Sequence, residues 1–146
     1  MFRGRYNHQI DAKGRLSVPS RFREMLSSNF DERLIITNFD DCLWAYPVPE
    51  WQELEKKVSA LPQFMDEVKS LQRVFISAAV ECPVDKQGRI LIPPSLRDYA
   101  ALSRDAVIVG MTRRFEIWAK ERWDEVFRSA QIKLEGMGTK LADLGL

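Results

Sequence analysis

Two arginines stand four residues after an aspartate in matching contexts, Asp11-Ala12-Lys13-Gly14-Arg15 and Asp85-Lys86-Gln87-Gly88-Arg89. A hydrophobic-x-hydrophobic-Pro run follows each, from Leu16 to Pro19 and from Ile90 to Pro93. Read as a hairpin, Ala12-Lys13-Gly14 is a three-residue loop with glycine at the left-handed position such loops need. Asp11 and Arg15 then flank the turn. The carboxylate can hold the guanidinium in one orientation, reducing the entropy lost when it meets a phosphate or a base. Lys13 projects from the tip. This is the chemistry of a nucleic-acid finger: phosphate contacts position a protein, and an arginine can take a guanine edge through two hydrogen bonds. The same pairs also fit a plainer role as turn-stabilising ion pairs, worth about 0–1 kcal/mol when exposed. The plainer role suits the second copy. Around the first, Arg3, Arg5, Lys13, Arg21 and Arg23 tilt the balance toward binding.

The elements that must position these residues are themselves repeated. Residues 11–23 and 85–97 share five of 13 positions at an offset of 74 (Asp11/Asp85, Gly14/Gly88, Arg15/Arg89, Pro19/Pro93 and Arg23/Arg97). Five identities alone could arise by chance, so a second collinear block decides the matter. At an offset of 72, Ile35-Ile36 falls on Val107-Ile108, Tyr46 on Trp118, Trp51 on Trp123, Glu53 on Glu125 and Leu54 on Val126. The chain therefore contains its own copy.

Each copy has the same reading. Tyr6, His8 and Ile10 alternate with polar residues, as do Val80, Cys82 and Val84, which predicts half-buried strands. A glycine turn leads to a second strand, Arg15–Val18 or Arg89–Ile92. Pro19-Ser20 and Pro93-Pro94 end that strand and open a short helix. A hairpin-like pair follows, 33–38 with 43–46 and 106–110 with 115–118, and a helix starting near Trp51 or Trp123 closes the copy. Between copies, Trp51, Leu54, Val58 and Leu61 recur at helical spacing until Pro62. Met65, Val68, Leu71 and Phe75 make a second stripe, and both stripes read as packing faces. The segment after Leu134 reads as loosely ordered or docked on a neighbour.

Composition limits the function classes. One histidine, His8, two separate cysteines and no Cys-x-x-Cys pair make a zinc site unconvincing. Cys42 and Cys82 read as reduced, buried thiols. With no nucleophile–base pair and no phosphate-binding glycine loop, little is left for catalysis; Ser17 and Ser95 read as strand and helix-start residues. We expect no enzyme activity, cofactor, metal or small-molecule substrate. No apolar run reaches membrane length and the first residues lack a secretory signal, so the expected location is the cytoplasm. The net charge of +1 is uninformative, but its distribution is not. Residues 1–23 carry six basic side chains against Asp11 alone, while the remainder carries 16 basic and 20 acidic ones. One basic face on a mildly acidic body suits a polyanion. An oligomeric scaffold whose basic face meets acidic proteins stays open as the rival, and steeply salt-dependent DNA binding would separate the two.

Met1-Phe2-Arg3-Gly4, Leu16-Ser17-Val18-Pro19, Asp85 through Pro94 and Phe115-Glu116-Ile117-Trp118 together resemble the MraZ family, over nearly the whole chain to about residue 130. The resemblance implies a β-rich α+β fold, with duplicated AbrB-like modules of the swapped-hairpin type forming a small pseudo-symmetric barrel with flanking helices. Its expected parts are a first module over 5–51, a helical connector over 52–79, a second module over 80–124, and a C-terminal helix and tail over 125–146. It implies a transcriptional regulator, commonly a repressor. Such a protein would assemble into a homo-oligomeric ring on the nucleoid and bind double-stranded DNA at short direct repeats upstream of its own operon in the division and cell-wall gene cluster. Several basic faces around a ring would raise avidity by effective concentration. The candidate DNA contacts are Arg3, Arg5, Lys13, Arg15, Arg21, Lys86 and Arg89, with Asp11, Gly14, Asp85 and Gly88 shaping the hairpins. Arg5 departs from the neutral or acidic residue more usual in the family. For the oligomer contacts we expect the helices, from Trp51, Met65, Phe75, Trp123 and Phe127.

Overall fold

The alternating segments and the proline-opened helices are realised in a computed structural model that describes residues 1–29 and 31–146. Copy one supplies β1 (Arg5–Gln9), β2 (Arg15–Ser17), α1 (Ser20–Asn29), β3 (Arg33–Phe39), β4 (Cys42–Pro47) and α2 (Val48–Ser59). After α3 (Asp66–Leu71) and a π-helical turn (Gln72–Ile76), copy two repeats the series. It comprises β5 (Val80–Pro83), β6 (Arg89–Leu91), α4 (Pro94–Tyr99), β7 (Asp105–Gly110), β8 (Phe115–Ala119) and α5 (Lys120–Glu135), with α6 (Gly138–Asp143) at the end. The two-residue shift in offset falls between α1 and β3, since α4 is the shorter of the two equivalent helices.

The pairing exchanges strands between the copies. A six-stranded antiparallel sheet runs β1-β7-β8-β4-β3-β5, so each copy's β3–β4 or β7–β8 hairpin receives the first strand of the other. Tyr6 lies opposite Ile108 and Val80 opposite Ile36, the same pairing displaced by one repeat. The remaining strands, β2 and β6, pair only with each other. A pseudo-twofold axis therefore passes through the Leu16–Ile90 pair of this ribbon and the Trp44–Glu116 pair of the sheet. The simple hairpin expected of 6–10 with 15–18 is corrected accordingly. Its turn forms and leaves one local bridge, Ile10 to Leu16, but both strands continue onto the other copy.

Burial explains the exchange. Leu16 and Ile90 point inward from the ribbon and join Leu26, Ile36, Phe115 and Ile117 in one core built from both copies. A local hairpin would bury only one copy's apolar residues. The opposite sheet face is covered by helices: Trp118 and Val107 pack near Trp123 of α5, while Tyr46, Trp51 and Phe75 pack together under α2 and the π-helical turn.

Several expectations change here. The closing helices start at Val48 and Lys120, three residues before the tryptophans. Leu61 and Met65 are exposed while Val68 and Phe75 are buried, so only part of the two stripes packs. Trp51 and Phe75 sit inside the protomer and cannot be contacts to another copy. The segment after Leu134 contains α6. Cys42 and Cys82 are free and buried, as the sequence suggested. Among the described residues no helix is long and apolar enough to cross a membrane.

Candidate nucleic-acid interface

The ribbon β2–β6 is the structural base of the site. Strand alternation sends Leu16 and Ile90 inward, leaving Arg15, Ser17, Arg89 and Leu91 on the outer face. Arg15 lies opposite Leu91 and Ser17 opposite Arg89, so the arginines are diagonal neighbours related by the pseudo-twofold axis.

Each arginine is held from the turn beside it. One carboxylate oxygen of Asp11 accepts the backbone N–H groups of Lys13 and Arg15, both at 2.9 Å, and the other accepts Arg15 Nε at 2.6 Å. Gly14 N–H donates to the Asp11 carbonyl at 3.0 Å and closes the loop in the left-handed conformation, φ +88°. The Arg15 backbone N–H, with the Arg15 guanidinium and the Lys13 N–H, holds the Asp11 carboxyl down at about 2, against a smaller opposing effect of desolvation. In the second copy Asp85 accepts from Gln87 and Arg89 N–H at 2.8 and 2.9 Å, but its contact to Arg89 Nε is 3.4 Å. Its carboxyl is also lowered, first by the Arg89 backbone N–H. Both arginines thus engage their aspartates through Nε, leaving the terminal guanidinium nitrogens for a bidentate partner.

The structure gathers some of the candidate contacts and separates others. Lys13, Arg15 and Arg89 line one open depression of about 800 Å³ together with Arg97, which the sequence reading left without a role. Arg3 and Arg21 line a second, where the buried Phe2 pins the chain start against Phe22 and Phe115. Lys86 lines a third with Arg23, Glu24, Glu32 and Asp85, a more acidic setting. Arg5 lies 4.7 Å over the Phe127 ring on α5, and residues 6–10, a rise of about 20 Å from Arg5 to Asp11, separate it from the turn.

Arg97 has no role in the sequence reading, and Arg23 appears there only as part of the basic surroundings of the first turn. Their identity at the repeat offset was the available signal. Arg23 Nε donates to the Val18 carbonyl at 3.1 Å and Arg97 Nε to the Ile92 carbonyl at 3.0 Å.

Exchanged strands, duplicated glycine turns and an arginine on each define a protein of the AbrB-like swapped-hairpin class, here with both modules in one chain. The model of the family described as "MraZ protein, putative antitoxin-like" matches twice, over residues 1–74 and 75–141. The chain is 47% identical over 146 residues to a protein named transcriptional regulator MraZ from Pelotomaculum thermopropionicum, covering all of this chain and 99% of that one. Its namesake in Desulfitobacterium hafniense is 48% identical over 147 residues, with both chains covered in full. The protein belongs to the MraZ family.

Proposed function

We propose that this protein is a sequence-specific, double-stranded DNA-binding transcriptional regulator, a repressor of the operon that encodes it within the division and cell-wall gene cluster. The observation that carries this reading is the pair of turn-held arginines on one outward ribbon, with their terminal nitrogens available for phosphate or base edges. The name borne by its relatives supports the same role. Arg15 leads, because its aspartate contact is the shorter and Lys13 stands beside it; Arg89, Lys86, Arg3 and Arg21 add phosphate contacts. Arg5, engaged by Phe127, contributes least.

In this reading the modules over 5–51 and 80–124 close into a small barrel around the shared core. The connector over 52–79 and the segment over 125–146 serve assembly into a homo-oligomeric ring. Exposed apolar side chains on those parts, including Phe64, Ile132 and Leu144, support that division. The ring presents successive fingers to short direct repeats, multiplying a modest single-site affinity, and works in the cytoplasm on the nucleoid.

Fluorescence anisotropy tests this, using labelled DNA from immediately upstream of the gene, a shuffled control and a salt series. The native DNA is preferred and affinity falls steeply with salt. Arg15→Ala assembles normally but binds about 10–100-fold more weakly, the loss of about 1–3 kcal/mol expected for a base-reading arginine; Arg89→Ala loses less. Equal, weak binding to both DNAs would remove the regulator reading, and unchanged binding by Arg15→Ala would remove the finger.

A further inference from the structure

We infer that Arg97 and Arg23 are positioning residues for the fingers, each anchored in one repeat and bracing the finger turn of the other. The Ile92 peptide donates its N–H to the Gly14 carbonyl at 2.9 Å, and its own carbonyl receives Arg97 Nε. The Arg97 guanidinium then packs against the turn glycine. A Cβ at Gly14 would stand 2.8 Å from both its Cζ and Nε, closer than real contacts allow. The mirror arrangement uses Val18 N–H on the Gly88 carbonyl at 2.9 Å, Val18 carbonyl on Arg23, and a Cβ at Gly88 only 2.6 Å from Arg23 Nη1. Each turn needs glycine for its positive φ, and any side chain there would also push the bracing arginine aside. Arg15 follows Gly14 directly, so the backing behind the turn fixes where its guanidinium points.

The two braces sit in unequal surroundings. Arg97 shares its depression with Lys13, Arg15 and Arg89 against the carboxylates Glu81 and Asp85, whereas Arg23 has Lys86 against Glu24, Glu32 and Asp85. The Arg97 brace therefore supports the more cationic finger, and its loss matters more for DNA. That consequence rests on the DNA reading above; the brace itself does not.

Hydrogen–deuterium exchange on the full-length assembled protein tests the brace without DNA. In Arg97→Ala, the amides of 13–15 exchange about tenfold faster while those of 87–89 stay near wild type; in Arg23→Ala the pattern reverses. Arg97→Lys keeps the charge but not the planar fork. It gives the same crosswise pattern and serves if the alanine variant does not fold. A rise confined to a variant's own repeat, equal in both turns, or absent would overturn the proposal. In the DNA assay Arg97→Ala weakens binding several-fold alone and in the Arg89→Ala background, but little once Arg15 is alanine. Losses fully additive with Arg15→Ala, with the salt slope reduced by about one, would show a direct phosphate contact and overturn positioning. If the wild-type protein ignores the DNA, the regulator reading falls and the exchange pattern still decides the brace.

Discussion

Replacing Gly14 by alanine measures how firmly the finger turn is packed. Three contributions set the cost. At φ +88° an alanine carries left-handed strain of about 1–2 kcal/mol. Its Cβ would meet the Arg97 guanidinium at 2.8 Å, forcing that side chain off the Ile92 carbonyl at about 0.5–1.5 kcal/mol for the hydrogen bond. The stiffer unfolded chain returns about 0.4–1 kcal/mol. The balance is about 2 kcal/mol of destabilisation, and at an m-value of about 2 kcal/mol/M it lowers the urea midpoint by about 1 M. All samples are compared at one protein concentration, so that any self-association contributes equally by mass action. In an Arg97→Ala background the overlap is gone and the hydrogen bond already lost, so the same substitution costs about 1 kcal/mol less. Gly138→Ala, with nothing within 4 Å of the added methyl and no positive φ, keeps only the unfolded-state gain of about 0.4–1 kcal/mol and does not lower the midpoint. An equal shift from Gly14→Ala with and without Arg97 would show that the guanidinium does not press on the turn, and would refute the reasoning.

Three further outcomes follow from the geometry. Asp11 titrates near 2 rather than at 3.8; its pKa is depressed on folding, so its support of the turn is complete above about pH 4 and is lost as pH falls through 2. An NMR titration of its carboxyl carbon with a midpoint at the ordinary value would contradict this. Burial pushes both thiols up, Cys82 to about 11. A thiol-specific chromogenic reagent at pH 8 therefore finds no reactive group in the native protein and two after denaturation. Leu16→Ala, at the ribbon centre and fully buried, costs about 2–5 kcal/mol. Because Leu16 belongs to the shared core, both repeats unfold together in one transition; two resolved transitions would argue against a common core.

Much of this architecture could be read from residue types. The glycine turns, the Asp11–Arg15 and Asp85–Arg89 contacts, both later hairpins and the proline-opened helices stand where spacing placed them. The strand partners could not be read from periodicity. Alternation at Tyr6, His8 and Ile10 fixes which side is buried, but a local hairpin and an exchanged strand satisfy that pattern equally. What separates them is a core drawn from both copies, a long-range quantity. Helix starts were placed late for a related reason. Trp51 and Trp123 mark where a buried face begins, while the first turn of each helix lies outside that face. Val48-Pro49 and Lys120-Glu121 carry no apolar period. Arg23 and Arg97 were visible as an identity, yet their role depends on a glycine of the other copy, 65 residues from Arg23 and 83 from Arg97.

Divergence between the copies follows the same division of labour. The residues that hold each turn (aspartate, glycine, the first arginine, the bracing arginine) are identical, and they lie on symmetric hydrogen bonds. Exposed partners around them differ: Ala12 answers Lys86, Lys13 answers Gln87, Ser17 answers Leu91 and Arg21 answers Ser95. A symmetric scaffold thus carries an asymmetric outer face, and that face cannot satisfy two identical DNA half-sites related by a dyad. Against a palindrome built from either half of one native repeat, Ser17 and Leu91 would meet the same base edges with different chemistry, a hydroxyl against an apolar side chain. If this face reads DNA as proposed, the protein binds the upstream DNA more tightly than a palindrome built from either half of its site in the same anisotropy assay. A palindrome that bound as well or better would mean that only the two arginines read the DNA, and that the divergent residues do not touch it.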